Sequence, residues 1–125
     1  MTKRVLVVDD SAIVRNIHSF MLKSGGFEVV EASNGYEAME KLLESHFDLI
    51  VTDVNMPKMD GYSLCEAIRK AEKYVNTPVV IISTESEAED KLRGFKAGAN
   101  LYVIKPVKSE DLIQNVKMLV SGSPS

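Results

Sequence analysis

Five short apolar runs, separated by longer stretches in which apolar residues recur every three or four positions, divide the chain into repeating units. Short runs without helical spacing are typical of strands buried on both faces of a parallel sheet, and the stretches between them are typical of amphipathic helices. The predicted strands are residues 5–8, 27–30, 49–51, 79–82 and 101–104. This alternation predicts a (βα)5 domain, an α/β fold whose parallel sheet is covered by helices on both faces.

Apolar residues at helical spacing give the predicted helices one face each that we expect to pack against the sheet. These faces comprise Ile13, Ile17 and Phe20 in the first helix, Leu64, Ala67 and Ile68 in the third, Ala88, Leu92 and Phe95 in the fourth, and Leu112, Val116 and Leu119 in the last. Helix boundaries are marked by Gly25-Gly26, Asn34-Gly35 and Gly98.

Length and composition indicate one ordinary globular domain, predicted over residues 1–120 with a flexible tail at 121–125. A net charge of -3 gives no electrostatic case for nucleic-acid binding. The first apolar run is short and ends in two acids, which argues against a signal peptide and membrane insertion. Because Cys65 is the single cysteine, no internal disulfide can form, and we expect a buried thiol and a cytoplasmic location.

Polar residues follow four of the predicted strands. Asp9 and Asp10 follow the first strand, Asp53 the third, Ser83 the fourth and Lys105 the fifth. Each of them alone is a common cap, turn or surface residue. Because the carboxyl ends of parallel strands meet at one edge of the sheet, we expect three carboxylates, a hydroxyl and an ammonium group together where open α/β sheets bind ligands.

This expected cluster favours a bound cation and phosphoryl chemistry. Two carboxylates about 4 Å apart repel by about 4 kcal/mol at an effective dielectric constant near 20. Oxygen ligands without histidine or cysteine suit Mg2+. Asp53 is the predicted nucleophile toward phosphorus, Mg2+ and Lys105 would offset the charge of the phosphoryl group, and Ser83 would donate a hydrogen bond to it.

Asp9-Asp10, Asp53, Ser83 and Lys105-Pro106, at these spacings, resemble the receiver domain of two-component response regulators. The resemblance runs from about residue 3 to residue 120, and the length is similar to that of stand-alone chemotaxis receivers. It implies a flavodoxin-like three-layer sandwich with strand order 2-1-3-4-5. It also implies that Asp53 accepts a phosphoryl group from a sensor histidine kinase or a phosphotransfer protein, in chemotaxis or a phosphorelay, and that the domain assists its own phosphorylation and dephosphorylation.

The resemblance also implies a ligand set. Asp10, Asp53 and the backbone carbonyl of Asn55 would bind Mg2+, and Asp9 would contribute through water. Lys105 would pair with the phosphate, and the Lys105-Pro106 bond would be cis.

By the same resemblance, Ser83 would move toward the phosphoryl oxygen and Tyr102 would turn inward behind it. This motion would re-form the face made by the fourth helix, fifth strand and fifth helix, which a downstream protein would read, with the receiver a monomer or weak dimer. Thr84 stands where the family usually has a smaller residue and would narrow access to the phosphoryl group. Asn55 and Glu85 instead suggest a short-lived phosphoryl group, so no lifetime is predicted.

Three alternatives are weighed against this interpretation. A small phosphohydrolase with an aspartate nucleophile needs a second acid two residues on, where this chain has Asn55. A flavin or nucleotide carrier needs a phosphate-binding loop after the first strand, where Asp9 and Asp10 would repel phosphate. A receiver-like module that binds partners without phosphorylation would not need the full set of charged residues. His18 and His46 are expected at solvated helix positions away from the strand ends.

Overall fold

The five predicted strands all form and alternate with five helices in the computed structural model, which describes residues 2–121. The elements are β1 (Arg4–Val8), α1 (Ala12–Ser24), β2 (Glu28–Ala32), α2 (Gly35–Glu44), β3 (Leu49–Asp53), α3 (Gly61–Lys70), a 3-10 turn (Glu72–Tyr74), β4 (Val79–Ser83), α4 (Ala88–Ala97), β5 (Leu101–Ile104) and α5 (Ser109–Ser121). Ser121 is the last residue of α5, and the rest of the expected tail lies outside the described residues.

The sheet is parallel throughout and has the strand order β2-β1-β3-β4-β5, which confirms the predicted fold class. The strand order reverses at β1, so a crevice opens between the carboxyl ends of β1 and β3. In this register Val8 pairs with Thr52 and Ser83 pairs with Ile104. The residues that follow these positions therefore meet at one edge of the sheet.

Alternate side chains of the central strands enter two separate cores, one on each face of the sheet. Leu6 and Ile50 belong to the core that also contains Ile68 of α3. Val7 and Val51 belong to the core that also contains Leu112 of α5. All residues of β3 and β4 are buried, as expected for inner strands covered on both faces. The predicted inward faces of α3 and α5 are confirmed for Leu64, Ile68, Leu112 and Val116.

The predicted inward face of α1 is wrong. Ile13 and Phe20 are 74% and 73% exposed, while α1 buries His18, Ser19 and Leu22 instead. Helical periodicity identifies a stripe but does not say which side of the helix meets the sheet. In α1 the residues that meet the sheet include two polar side chains, so the more apolar stripe lies in solvent.

The predicted inward face of α4 is also wrong. Leu92 and Phe95 are 54% and 48% exposed, and Ala88 is exposed as well. The buried residues of α4 are Gly94 and Ala97. Small side chains therefore allow α4 to lie close to the sheet, while its larger apolar residues remain on the surface.

The helix boundaries agree with the predicted markers. Asn34 caps α2, because its Oδ1 accepts a hydrogen bond of 2.9 Å from the backbone N–H of Glu37. Gly98 ends α4 with a φ of 111°, a left-handed conformation that glycine adopts without a steric penalty. Within residues 2–121, none of the helices has the length and apolar character needed to cross a bilayer.

The neighbouring leucines of α2 provide a matched test of the packing. Leu42 is 2% exposed and Leu43 is 84% exposed, on the same helix. Leu42→Ala is expected to lower the free energy of unfolding by about 2–5 kcal/mol, because it removes buried methyl groups and leaves a cavity. Leu43→Ala should change it by less than about 0.5 kcal/mol. Urea unfolding checks both values, and equal losses would contradict the placement of α2.

Candidate functional site

Three carboxylates lie together where the crevice opens at the carboxyl ends of β1 and β3. Asp9 and Asp10 follow β1, and Asp53 is the last residue of β3. One ligand oxygen from each of the three carboxylates lies within 4.8 Å of the others. Asp9 and Asp53 are 2% and 7% exposed, whereas Asp10 is exposed. The cluster is thus buried on one side and open to solvent through Asp10.

Lys105 supplies the positive charge in this cluster. Its Nζ lies 3.1 Å from Oδ1 of Asp53 and 3.3 Å from Oδ2 of Asp9. The backbone N–H of Lys105 donates to the carbonyl of Ser83 (2.8 Å), which holds the residue against the end of β4. The Lys105-Pro106 bond is cis, as the resemblance implied. One ammonium group therefore bridges two of the three carboxylates.

The positive charge of Lys105 does not fully offset the negative charge around Asp53. Burial raises the pKa of Asp53 above its ordinary value, and the nearby charge of Asp9 raises it further. The hydrogen bond and the positive charge of Lys105 only partly oppose this rise. The ionised form of Asp53 is therefore disfavoured in the folded protein, and a cation bound among the carboxylates would relieve that cost.

The donor set fits a hard divalent cation. The clustered ligands are carboxylate oxygens, which suit Mg2+ better than a transition metal. Both oxygens of Asp9 already have protein partners, since Oδ1 accepts from the backbone N–H of Ser11 (2.9 Å) and Oδ2 accepts from Lys105. Asp9 is accordingly suited to an indirect contribution, while Asp10 faces solvent from which a hydrated ion would arrive.

Ser83 and its neighbours form the side of the site nearest β4. Ser83 is fully buried, and its Oγ accepts a hydrogen bond of 2.9 Å from the backbone N–H of Glu85. Thr84, Glu85 and Asn55 are exposed. The side chain of Asn55 donates to Oε1 of Glu85 at 3.4 Å, so these two residues, which are far apart in the chain, meet at the surface.

Tyr102 is already turned inward. Its side chain is 8% exposed, and its hydroxyl donates a hydrogen bond of 2.8 Å to the carbonyl of Glu85. The resemblance implied this position only after phosphorylation. The ring lies against Gly94 of α4, and its hydroxyl lies 3.5 Å from that of Tyr62.

Sequence reasoning missed Tyr62 and Gly94, which adjoin this ring. Burial and the hydroxyl of Tyr102 raise the pKa of Tyr62, so Tyr62 is a neutral hydrogen-bonding group. The available signal was Gly94 itself, a glycine in the interior of a predicted helix with no turn to explain it.

The prediction for His18 is wrong and that for His46 is correct only in part. His18 is buried in α1, and burial together with the charge of Lys105 lowers the pKa of its imidazole, which the charge of Asp9 partly opposes. His46 is exposed, but it lies in the loop before β3 and contacts Asp48 at 3.3 Å. The sheet edge thus has a buried imidazole nearby that no sequence pattern indicated.

Comparisons with known proteins agree with this geometry. The chain matches the response regulator receiver domain family over residues 5–117. Protein PilG of Pseudomonas aeruginosa is 33% identical over 114 residues, which cover 91% of this chain and 84% of PilG. The chemotaxis protein CheY4 of Vibrio cholerae has a similar structure, with a TM-score of 0.91, 36% identity and coverage of 95% of this chain and 99% of that chain.

Several relatives are much longer than this chain. The gliding motility regulatory protein of Myxococcus xanthus is 44% identical over 102 residues, which are 82% of this chain but 13% of that protein. The chain spans about half the length of the curated transcriptional regulators that it matches. The similarity to these proteins therefore concerns one of their domains.

Substitution of Asp53 by asparagine is expected to stabilise the fold at neutral pH in the absence of divalent cations. Because the pKa of Asp53 is higher in the folded protein than in the unfolded chain, ionisation favours the unfolded chain. Asp53→Asn should therefore gain stability over the wild type as the pH rises above about 3.8, the ordinary value, and the gain should level off above the folded pKa.

Urea unfolding at a series of pH values checks this dependence. Asp111→Asn, at an exposed position on α5, is the control and should stay within about 0.5 kcal/mol of the wild type. A variant Asp53→Asn that is less stable than the wild type at neutral pH would show that the bond to Lys105 outweighs the burial of the charge.

Proposed function

Because the chain belongs to the response regulator receiver domain family, we propose that Asp53 is its phosphoryl acceptor and that the domain relays a signal from a histidine kinase or phosphotransfer protein to a downstream protein. The observation that carries this proposal is the contact of 3.1 Å between Lys105 Nζ and Asp53 inside a cluster of three carboxylates. A nucleophilic carboxylate, a fixed cation and a metal-binding set of oxygens stand at one sheet edge. Phosphoryl transfer needs these three parts.

Receiver domains bind Mg2+ at an acidic pocket, and the cluster of Asp9, Asp10 and Asp53 fits that ion. We assign direct ligation to Asp10, Asp53 and the backbone carbonyl of Asn55, and indirect ligation through water to Asp9. When bound, Mg2+ supplies positive charge that offsets the charge of the phosphoryl oxygens.

The transfer step follows from the positions of the protein groups. A carboxylate oxygen of Asp53 attacks phosphorus, the new P–O bond forms, and the bond from phosphorus to the donor breaks with its electron pair leaving on the donor. The donor bond is P–N for a phosphohistidine. Lys105 exchanges its contact with the Asp53 carboxylate for one with a phosphoryl oxygen, and Ser83 donates its hydroxyl hydrogen to another.

The residues at the mouth of the site are proposed to control the lifetime of the phosphoryl group. Loss of the group requires an attacking water, and the linked side chains of Asn55 and Glu85 lie on the exposed side from which that water would come. Thr84 is exposed between Ser83 and Glu85, and we propose that it narrows access to the phosphoryl group. We therefore place dephosphorylation, like phosphorylation, within this domain and its bound ion.

The output surface is proposed to be the α4-β5-α5 face. Ser83 ends β4, Tyr102 lies in β5, and the carbonyl of Glu85 links the Tyr102 hydroxyl to the loop that leads into α4. Leu92 and Phe95 expose apolar area on α4, which a protein partner would cover. A protein target in a chemotaxis-like system or a phosphorelay fits this surface, with no nucleic acid bound by the domain and no oligomer beyond a weak dimer.

A second candidate is a module that binds its partner without phosphorylation. The inward position of Tyr102 is the observation that favours it, because the expected consequence of phosphorylation is already present. The charge cluster favours the first candidate, since a binding module does not need it. Chemical phosphorylation separates the two.

Acetyl phosphate with Mg2+ is expected to add one phosphoryl group to the wild type, observed as intact mass. Asp53→Asn and a sample with EDTA should show no adduct, because one lacks the nucleophile and the other lacks the charge that the transition state needs. Asp111→Asn should react like the wild type. Absence of an adduct on the wild type, together with no change of the amide spectrum on addition of beryllofluoride, would support the binding module instead.

The exposed stripe of α1 is proposed to contact the phosphoryl donor. α1 begins two residues after Asp10, so Ile13 and then Ile17 and Phe20 extend from the mouth of the site along the protein surface. A protein that delivers a phosphoryl group to Asp53 must cover this mouth. The three large exposed apolar residues of the adjoining helix α1 would provide the contact area.

Phe20→Ala is expected to slow transfer from a protein donor about tenfold or more, because an aromatic anchor at an interface centre contributes at least about 1.4 kcal/mol. The measurement uses whichever of a panel of phosphorylated histidine phosphotransfer domains loads the wild type fastest. Leu43→Ala, at an even more exposed apolar position on α2, is the control. Loading by acetyl phosphate should be unchanged in both variants, and a loss there for Phe20→Ala would place its effect on the site itself.

A further inference from the structure

Gly94 is required for the space that it leaves beside α4, not for an unusual backbone conformation. It lies in the interior of α4, and its φ is not among the positive values, which within residues 2–121 belong to Gly26, Gly98 and Lys58. Glycine in a helix interior is less favourable than alanine by about 1 kcal/mol. A Cβ built on Gly94 would lie 2.8 Å from Cδ2 and 3.2 Å from Cε2 of the Tyr102 ring. The missing methyl group is the volume that this ring occupies.

The remaining walls of the gap hold the ring from other sides. A Cβ on Gly94 would also lie 3.4 Å from Cδ1 of Ile81, so a side chain of β4 borders the same space. The Tyr102 hydroxyl donates to the carbonyl of Glu85 at 2.8 Å. The Tyr62 hydroxyl lies 3.5 Å from the Tyr102 hydroxyl and 3.3 Å from the carbonyl of Asp90.

Tyr62 is itself held in place. Its side chain is 5% exposed, and the guanidinium of Arg93 covers the outer face of its ring at 4.3 Å from the ring centroid. Arg93 also lies 4.0 Å from the carboxylate of Asp60, the cap of α3. The side chain of Tyr62 is therefore held in a fixed position between α3 and α4.

We propose that Gly94 and Tyr62 are positioning residues that hold Tyr102 inward before any phosphoryl group is bound. Gly94 leaves space for the Tyr102 ring, and Tyr62 packs beside the Tyr102 hydroxyl. The importance of this position for signalling rests on the proposed function, in which Tyr102 couples the site to the α4-β5-α5 face. Phosphorylation can change only those molecules in which the Tyr102 ring still points outward. This receiver would therefore present its output face at rest, and phosphorylation would increase partner binding from an already raised level.

Replacement of Gly94 by alanine tests the proposal directly. The clash falls on two carbons of the rigid ring, Cδ2 and Cε2, rather than on a flexible chain end, so the ring as a whole must shift. Rotation about χ1 toward solvent removes the clash and breaks the bond to Glu85. The substitution favours the helix itself, so loss of α4 is not the expected response.

Nitration of tyrosines by tetranitromethane, followed by peptide mass spectrometry, measures the position of the ring in protein free of phosphoryl donors. Tyr36, 55% exposed, and Tyr74, 2% exposed, are internal standards for reactive and protected rings. In the wild type, Tyr102 should react slowly, like Tyr74. In Gly94→Ala its rate should rise at least about tenfold toward that of Tyr36, a change that corresponds to about 1.4 kcal/mol.

Two further variants keep the result interpretable. Lys91→Ala, at an exposed position on α4, should leave the Tyr102 rate unchanged. Tyr62→Phe removes one hydroxyl without changing the fold and should raise the Tyr102 rate less than Gly94→Ala does. If Tyr74 also becomes reactive in Gly94→Ala, the fold has loosened. The nitration rate of Tyr102 in Tyr62→Phe then decides whether the proposal holds.

The proposal is overturned if Tyr102 in the wild type reacts as fast as Tyr36, or if neither Gly94→Ala nor Tyr62→Phe changes its rate while Tyr74 stays protected. Neither result bears on phosphorylation of Asp53, because the reaction contains no phosphoryl donor. Conversely, failure of acetyl phosphate to modify Asp53 leaves the nitration result intact.

Discussion

The main physical constraint on this protein is the accumulation of negative charge at the carboxyl edge of its sheet, which is unfavourable by itself. Asp9, Asp10 and Asp53 bring one oxygen each to within 4.8 Å of the others, two of them on buried side chains. At such distances like charges repel by several kcal/mol, and one ammonium group from Lys105 offsets only part of this repulsion. Burial, and after it the charge of Asp9, raises the pKa of Asp53 above its ordinary value. A site with this surplus is suited to a divalent cation.

The same edge is connected to the protein surface through a short series of contacts. Ser83 ends β4, its hydroxyl accepts from the backbone of Glu85, and the carbonyl of Glu85 accepts from Tyr102. One residue of backbone, Glu85, therefore links the hydroxyl of Ser83 to the hydroxyl of Tyr102. The ring has a space of its own beside Gly94. On the proposed role of Gly94, the resting state and the activated state of this receiver should differ less than the resemblance implied.

Two helices keep their largest apolar side chains in solvent. α1 exposes Ile13 and Phe20, and α4 exposes Leu92 and Phe95. Isolated exposed apolar residues are common, but stripes along one helix mark contact surfaces. The stripe on α1 follows the proposed phosphoryl acceptor site, and the stripe on α4 belongs to the proposed output face. The proposed relay between two protein partners would account for both stripes.

The sequence by itself determined the fold class, the five strands and the meeting of Asp9, Asp10, Asp53, Ser83 and Lys105 at one edge. Apolar runs and breakers act locally, and a parallel sheet brings the residues that follow its strands together. Only the tertiary structure decided which side of a helix is buried, because a helical stripe carries no direction toward the sheet. It alone also showed that His18 is buried and that Tyr102 fills the space beside Gly94. These features arise from packing between elements far apart in the chain, which periodicity does not describe.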